Sequence, residues 1–292
     1  MNNLVEFIFE KRPSLSKNSI QTYKSILKNL YIKVFGIENV NFENFNNSSK
    51  ILNYLKDTPP STRKTILSAL TITTGLNEYR EAMNQDLSTY RHEISKQIKS
   101  DSQKESWVSF SSIKEKNNEL KAIAEPLMRK KKHTLEELQI IQNYIILCLT
   151  SGIFIAPRRS KDWTEMVIKN VDGIVNYIDN NFFQFTTYKT VKTYGIQTVE
   201  IPKPLLKILK KWIKINPAEY LLFDNKMHKL TSQTLNQKIN QIFGKKISTT
   251  MLRHSFLTDQ FGGTIALNKK IEQTMTAMGS SASQLPVYVK ND

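Results

Sequence analysis

The chain has 292 residues, of which 39% are hydrophobic and 10% aromatic. This content supports one large folded domain or two domains of ordinary size, and it excludes an intrinsically disordered chain. The 42 Lys and Arg residues outnumber the 26 Asp and Glu residues, which gives a formal net charge of +16. Such an excess favours a polyanionic partner, nucleic acid or an anionic membrane surface, although a solvated lysine-rich surface is the simpler alternative.

The cysteine and histidine content argues against disulfides and structural metal. Cys148 is the single cysteine and lies in NYIILCLTSG, a pattern that predicts a buried helix position. One cysteine cannot form an internal disulfide, and with four scattered histidines it excludes a structural zinc site. The N-terminal stretch MNNLVEFIFEKRPSLS has no apolar segment of signal-peptide length, and no window approaches a membrane span. We therefore expect a soluble, intracellular protein with no membrane association.

The first hundred residues predict a small all-α unit. Residues 17–35, KNSIQTYKSILKNLYIKVF, carry apolar side chains at three- and four-residue steps. Ser14 or Ser16 is available as an N-cap and Gly36 as a stop signal. The Pro pair before STRKTILSALTITT predicts the start of a second helix, and helical patterns continue to about residue 100.

The composition changes between about residues 96 and 133. We interpret the polar stretch SDSQKES as a linker, which places a helical first domain with the linker start at residues 1–104 and a second domain at residues 105–292. The basic run RKKKH is either a solvated surface, a phosphate-binding segment or a nuclear-import signal. Four residues of this run are candidate DNA contacts: Arg129, Lys130, Lys131 and Lys132. Thr134 and Glu137 then predict a capping box for a helix over 135–149.

The pattern of the second half changes from helix to strand and back to helix. From about residue 174, IVNYI, FFQFTTY and IQTVEIP alternate with a period of two and predict three short strands, with YKTVKTYG in the second turn. Helical patterns return in PLLKILKKWI, TSQTLNQKINQIF, the TMLRHSFLT stretch and finally ALNKKIEQTMTAMG. The predicted fold class is mainly α with one small antiparallel β-sheet, in two domains.

Four features of the second half carry groups suited to phosphate chemistry. They are the arginine pair in SGIFIAPRRSKDW, Lys189 in the turn of the sheet, Arg253 in LRH, and Tyr288 near the C-terminus. Each has an ordinary structural explanation on its own, since surface arginines form ion pairs, turn lysines are solvated and tyrosines pack. Their order and spacing carry the functional signal.

This order and spacing resemble the tyrosine recombinases, the phage-type integrase family. In the family's first box an arginine is followed three residues later by a carboxylate, as Arg159 is by Asp162. The second box reads H-x-L-R-H-[ST]-F, which TTMLRHSF matches from Leu252 onward, and the tail box L-G-H-S with a later tyrosine is echoed by MGSSASQLPVY. The N-terminal RPSLSKNSIQTYKSILKNLY is similar to the start of the family's core-binding domain, especially in integrase-like proteins of large DNA viruses. The resemblance covers nearly the whole chain.

The resemblance implies an all-α core-binding domain and a catalytic domain that together close around double-stranded DNA. It assigns Tyr288 as the nucleophile, because a phenol oxygen forms a stable phosphotyrosine that keeps the bond energy. Arg159 and Arg253 would clamp the phosphate, which two guanidiniums do in a geometry that lysine cannot copy. Lys189 would protonate the departing 5′ oxygen. Neither ATP, a divalent metal nor another cofactor is implied.

Two assignments in this scheme have close competitors. Arg158 could take the place of Arg159 in the clamp, although the spacing to Asp162 favours Arg159. Lys192 competes with Lys189, although the Lys-Thr dipeptide at the edge of the turn favours Lys189.

The sequence departs from the family pattern at two supporting positions. Thr250 stands three residues before Arg253, where the family has His or Lys, and Ser280 follows Gly279, where it has His or Trp. Thr and Ser can donate hydrogen bonds to a phosphate, but neither is a base near pH 7. Removal of the tyrosine proton is then slower, or falls to water and His254, or the protein binds DNA without cleaving it.

The resemblance also implies partners and a location. The family acts as a tetramer on paired DNA sites, and we expect a homotetramer there and a monomer or dimer in free solution. The chain has four residues after Tyr288, so we expect no long exchanged C-terminal segment. For a viral protein the location would be the host nucleus or cytoplasm, or the virion. The alternative functions are DNA relaxation of the type IB topoisomerase kind and non-catalytic DNA binding on the same fold.

Overall fold

The computed structural model describes residues 4–290 and divides the chain into two compact units, residues 1–99 and residues 100–292. Within the described residues the secondary structure is mainly α-helical, with one three-stranded antiparallel sheet in the second unit. This is the fold class that the periodicities predict. Among residues 4–290, no helix is both long and apolar enough to span a lipid bilayer.

The N-terminal unit is built from helices whose ends follow local sequence signals. They are α1 (Leu4–Lys11), α2 (Lys17–Phe35), α3 (Ser48–Leu55), α4 (Pro60–Thr74) and α5 (Asn77–Ser95), with a 3-10 turn at Phe42–Asn46. The Ser16 side chain accepts a hydrogen bond from Ser19 N at the start of α2, and Gly36 ends that helix with a φ of 71°. Only glycine adopts this left-handed backbone without steric penalty, so the predicted cap and stop are confirmed.

A buried ion pair joins the last two helices of this unit. Arg63 in α4 donates from Nε and Nη2 to the two carboxylate oxygens of Asp86 in α5, at 2.9 and 2.6 Å. A third donor, Arg63 Nη1, reaches Lys56 O at 3.1 Å. The fork geometry satisfies both buried carboxylate oxygens, and this is the condition under which a buried pair is tolerated.

The second unit is built around one large hydrophobic core. Its helices are α6 (Asp101–Ser106), α7 (Phe110–Leu127), α8 (Leu135–Thr150), α9 (Ser160–Thr164), α10 (Val191–Tyr194), α11 (Lys203–Ile215), α12 (Ser232–Phe243), α13 (Thr249–Ala277) and α14 (Leu285–Tyr288). The strands are β1 (Tyr177–Asp179), β2 (Phe182–Phe185) and β3 (Gln197–Glu200), in the order β1-β2-β3. All three strands lie where the alternating patterns predict them.

The polar stretch that we interpreted as a linker begins at the boundary between the two units and is largely helical rather than irregular. Ser100 and Gln103 form a capping box that starts α6. In α7 the side chains of Phe110 and Ile113 are buried in the core of the second unit. The polar residues of this region form exposed helix faces, which composition alone does not distinguish from a linker.

Helix α8 is the centre of the second unit and leads to the candidate site. Its capping box is formed by Thr134 and Glu137, as predicted, and Cys148 is fully buried within it. After α8, Gly152 has a φ of 90°, and a Cβ at this position would lie 2.3 Å from the Phe256 ring. A glycine here therefore lets α13, which carries Phe256, approach the C-terminal end of α8 closely.

Helix α13 is a single 29-residue helix rather than the two helices that the sequence patterns suggest. It runs through Gly262 and Gly263 without interruption, since one or two helical glycines weaken a helix but do not have to end it. Its first turns are packed, whereas residues 257–274 are exposed except for the partly buried Ile271. This exposed segment separates the start of α13 from the C-terminal residues.

Candidate phosphate-binding site

A cavity of about 390 Å³ lies where the turn after α8, the β2–β3 connection and the start of α13 meet. Its lining residues come from these three segments and from α9 and β3: Ile155, Ala156, Pro157, Arg158, Arg159, Asp162, Tyr188, Thr190, Tyr194, Gln197, Val199 and Arg253. The structure thus brings together both members of the arginine pair, Asp162 and Arg253, although Arg253 is more than ninety residues away in sequence.

Arg158 is held by its protein neighbours. Its Nε donates to Asp162 Oδ2 at 2.9 Å and its Nη1 donates to Gln197 Oε1 at 2.8 Å. The guanidinium carbon also lies 3.7 Å from the centroid of the Phe185 ring. With the ion pair, the amide bond and the ring contact in place, Arg158 links α9 to the sheet and has few donors left for a ligand.

Arg159 and Arg253 have no such partners. Within residues 4–290, neither guanidinium makes a hydrogen bond or an ion pair. Burial, and then the neighbouring charge of Arg159, lower the pKa of Arg253 from its ordinary value. A guanidinium nevertheless stays protonated at neutral pH, because its ordinary pKa is so high. Two unpaired, partly desolvated positive charges on one cavity favour the binding of an anion there.

Asp162 is the carboxylate at the base of this cavity. Its side chain is 3% exposed, and its second oxygen, Oδ1, is buried without a hydrogen-bond partner among the described residues. Burial raises the pKa of Asp162, and this effect outweighs the lowering effects of Arg158 and Arg159. Because Asp162 is already bonded to Arg158, it leaves Arg159 and Arg253 free to bind a ligand.

A buried hydroxyl pair connects the two segments that carry the free arginines. Ser160 Oγ and Thr249 Oγ1 share a hydrogen bond of 2.6 Å, and Thr249 N donates to Asn236 Oδ1 at 3.0 Å. Ser160 directly follows Arg159, and Thr249 lies four residues before Arg253. The sequence analysis missed this pair, as it missed Gln197, because the partners are 89 and 39 residues apart and carry no local signal.

The two candidate lysines lie in the connection between β2 and β3, as predicted. Lys189 and Lys192 are both exposed, and neither lines the cavity itself. Tyr188 and Thr190, on either side of Lys189, do line it, and the Tyr188 hydroxyl donates to Gly195 O at 2.6 Å. This bond joins the two ends of the segment 188–195 within the connection. Lys189 lies between two residues that line the cavity, so its backbone is at the cavity rim.

The two supporting positions on α13 face solvent. Thr250 and His254 are both exposed, on the first two turns of the helix, and do not line the cavity. They are four residues apart and therefore share one helix face. The sequence places a hydroxyl at the position where a base was expected, and the structure gives that hydroxyl no hydrogen bond within the described residues.

Tyr288 does not lie at the cavity. It is 59% exposed at the end of α14, which packs on the 3-10 turn Ala282–Gln284 after α13. Ser280, whose N donates to Met275 O, is close to the same end of α13. From Arg253 to the end of α13 the helix extends about 36 Å, at a rise of 1.5 Å per residue. The structure therefore assembles the arginines but holds the tyrosine apart from them.

The basic run lies at a second, larger cavity. Arg129, Lys130, Lys131 and Lys132 all line a cavity of about 840 Å³ together with Lys211 and Lys214 of α11. The sequence analysis did not connect the run with α11, which is about eighty residues further along the chain.

No protein-family model matches the sequence, and no curated protein matches it. Several solved structures resemble the chain, all with low sequence identity. A crystal structure of a lambda integrase dimer bound to a COC′ core site has 14% identity and a TM-score of 0.48, over 89% of this chain and 71% of that chain. The XerH site-specific recombinase bound to difH substrate has 17% identity and a TM-score of 0.36, over 89% and 85%. The XerA recombinase has 12% identity and a TM-score of 0.34, over 89% and 84%.

Proposed function

We propose that the chain is a site-specific DNA recombinase that cleaves and rejoins DNA strands through a 3′-phosphotyrosyl intermediate. The observation that carries the proposal is the pair of free guanidiniums, Arg159 and Arg253, on one cavity beside an Arg158 that is already engaged. A phosphodiester bound between them would exchange like-charge repulsion for charge-assisted hydrogen bonds. The same donors would stabilise the additional negative charge of the transition state.

The proposed chemistry needs a nucleophile and a proton donor in addition to this clamp. The Tyr288 oxygen attacks the phosphorus, a new P–O bond to tyrosine forms, and the bond from phosphorus to the 5′ oxygen breaks. The tyrosine proton passes to water, and Lys189 donates a proton to the departing 5′ oxygen. Attack by the 5′ hydroxyl of a second strand reverses these steps, so the strand is rejoined without an external energy source.

The position of Tyr288 implies that the chain between Arg253 and Tyr288 changes conformation before Tyr288 reaches the arginine cavity of its own chain. Gly262 and Gly263 lie in the exposed part of the helix, between Arg253 and the end of α13. Helical glycine is about 1 kcal/mol less stable than alanine, so this pair is the weakest point of the segment. We propose that α13 bends there, which carries the C-terminal segment and its tyrosine towards an arginine cavity.

The proposed substrate is double-stranded DNA, and the proposed active assembly is a homotetramer on paired sites. The charge supports a nucleic-acid partner, because the second unit carries 28 Lys and Arg residues against 17 Asp and Glu residues. The candidate contacts Arg129 to Lys132 belong to this unit.

The experiment that tests the proposal uses a nicked suicide substrate, which traps the covalent intermediate because the cleaved end dissociates. Incubation in the presence of a metal chelator should give a protein–DNA adduct that resists denaturation. Relaxation of supercoiled plasmid without recombinant products would indicate topoisomerase activity instead. Salt-sensitive DNA binding with no adduct on any cleavable site would contradict the recombinase proposal and leave DNA binding alone.

A further inference from the structure

The larger cavity contains a concentration of positive charge that the proposed chemistry does not use. It lies at the N-terminal end of α8 and is bounded by the turn before α8, the C-terminal half of α11 and Met227. Among residues 4–290, no Asp or Glu lines it, whereas seven basic side chains do: Arg129, Lys130, Lys131, Lys132, His133, Lys211 and Lys214.

Most of this charge is uncompensated. Lys130 is paired with Glu137, and His133 Nε2 bonds to Leu127 O at 3.0 Å. Among the described residues, the five remaining cations form neither an ion pair nor a side-chain hydrogen bond: Arg129, Lys131, Lys132, Lys211 and Lys214. Like charges on one concave surface repel each other, and a bound polyanion removes that repulsion while releasing its own counterions.

The remaining lining indicates which kind of anion fits. Its apolar part includes Met128, Leu135, Ile215 and Met227, and among the described residues no Phe, Tyr or Trp lines the cavity. Recognition of unpaired bases depends on exposed aromatic rings, and the one aromatic ring in this lining, His133, is partly buried and bonded to Leu127 O. Lysine ammonium groups act as point charges that suit phosphate oxygens. The composition therefore favours a phosphodiester backbone over a nucleobase or an aromatic ligand.

The two cavities lie towards opposite ends of α8. The basic cavity includes Leu135, the first residue of α8, whereas the arginine cavity begins at Ile155, five residues after the end of α8 at Thr150. A helix of this length extends about 24 Å. At about 3.4 Å per base pair, a B-form duplex that runs along α8 covers roughly 7 base pairs over this length.

We propose that the basic cavity is a second phosphate-backbone site, which holds the duplex about 7 base pairs from the cleaved phosphate. This inference rests on the proposed DNA substrate, but it does not depend on cleavage. The two lysines of α11 are part of the DNA contact, together with the basic run. The contact is sequence-independent, because it reaches phosphates alone.

The first test measures how DNA affinity depends on salt, by fluorescence anisotropy with a duplex of about 30 base pairs. Replacing Lys211→Gln and Lys214→Gln together should reduce the slope of log K against log salt by about 1.8, since each lost phosphate contact changes it by about 0.9. Lys203→Gln with Lys207→Gln is the matched control, because these lysines are on the same helix but do not line the cavity. Circular dichroism of both variants shows whether α11 stays folded.

The second test uses suicide substrates whose flanking arm is about 4 or about 12 base pairs long. At limiting protein, the Lys211 and Lys214 variant should form adduct more slowly than wild type on the substrate with the long arm. On the substrate with the short arm the two proteins should react equally fast, because that arm is too short to reach the basic cavity about 24 Å away. Equal salt slopes in wild type and variant, or an equal loss in the control pair, would overturn the inference. Wild-type adduct formation in that case would leave the recombinase proposal intact, whereas a wild type that does not bind DNA would overturn both.

Discussion

Arg158 Nε donates to Asp162 Oδ2 at 2.9 Å, and this bond distinguishes the two adjacent arginines. The carboxylate at the base of the cavity is paired with Arg158, so the next residue, Arg159, is left without an anionic partner within residues 4–290. On sequence alone the two arginines are competitors for one role. In the structure Arg158 supports the cavity wall, and Arg159 is the one available to a ligand.

This arrangement predicts that loss of a free arginine lowers the reaction rate, whereas loss of Arg158 lowers the stability of the fold. Arg159→Ala and Arg253→Ala should each reduce the rate of adduct formation by about 10²- to 10³-fold, as expected for the loss of a transition-state donor, with little change in stability. Arg158→Ala should lower the free energy of unfolding by about 3 kcal/mol, because it leaves the buried Asp162 carboxylate unpaired. Single-turnover kinetics and denaturant unfolding measure the two quantities. A large stability loss in Arg159→Ala with a stable Arg158→Ala would show that the roles are reversed.

The raised pKa of Asp162 predicts a pH-dependent stability. A carboxyl group whose pKa is higher in the folded state stabilises the fold fully below its unfolded value of 3.8, and this contribution is lost as the pH rises through the folded value. Asp162→Asn removes the titration, so the stability of this variant relative to wild type should increase as the pH rises from below 3.8. The charges facing the group are Arg158, Arg159 and Arg253.

Tryptophan fluorescence can follow this titration, because all three tryptophans lie in the second unit. Denaturant unfolding at several pH values gives the free energy of unfolding for wild type and variant. The control is Asp259→Asn, on the exposed part of α13. A stability difference for Asp162→Asn that stays constant with pH would contradict the raised pKa.

The glycine pair in α13 predicts a conformational requirement. Replacing Gly262→Ala and Gly263→Ala should stabilise the straight helix by about 2 kcal/mol and so slow adduct formation by up to about 30-fold, while DNA binding is unchanged. Alanine fits at both positions, since a Cβ at Gly262 meets only Thr258 Cγ2 at 3.7 Å and one at Gly263 meets nothing within 4 Å. Asn268→Ala, in the same exposed segment, is the control. Unchanged adduct kinetics in the alanine pair would show that no bend occurs there.

Replacing Thr250 by histidine is expected to increase the rate of adduct formation. Thr250→His would place an imidazole on the first turn of α13, three residues before Arg253, and should accelerate adduct formation by about 10²-fold if deprotonation of the tyrosine limits the rate. The rate should then depend on pH near 6.5, the ordinary pKa of histidine. Thr250→Ala should change the rate little, because the exposed hydroxyl makes no hydrogen bond within the described residues. A loss of rate in Thr250→Ala would instead assign a direct role to this hydroxyl.

Much of the fold could be predicted because its signals are local. The cap at Ser16, the stop at Gly36, the capping box at Thr134 and the three strands each depend on residues within one or two turns. The helical state of the polar residues before α7 and the continuity of α13 through its glycine pair could not be predicted, because an exposed helix face resembles a linker and glycine is only a weak helix breaker.

The candidate site could be predicted only in part. The sequence supplied Arg159 and Arg253 as candidates, but it could not show that Arg158 is bonded to Gln197, which is 39 residues away. It also could not show the hydrogen bond between Ser160 and Thr249, which are 89 residues apart. Such contacts are set by tertiary packing rather than by spacing. Resemblance placed Tyr288 among the site residues, whereas the conformation described here holds it outside the cavity.

The most direct test of the central claim is to identify the residue that carries the DNA. The adduct from the suicide substrate is digested with nuclease and protease, and the modified peptide is sequenced by mass spectrometry. The account predicts a phosphotyrosine at Tyr288, no adduct from Tyr288→Phe, and unchanged DNA binding by that variant. An adduct attached to another residue, or one that persists in Tyr288→Phe, would contradict it.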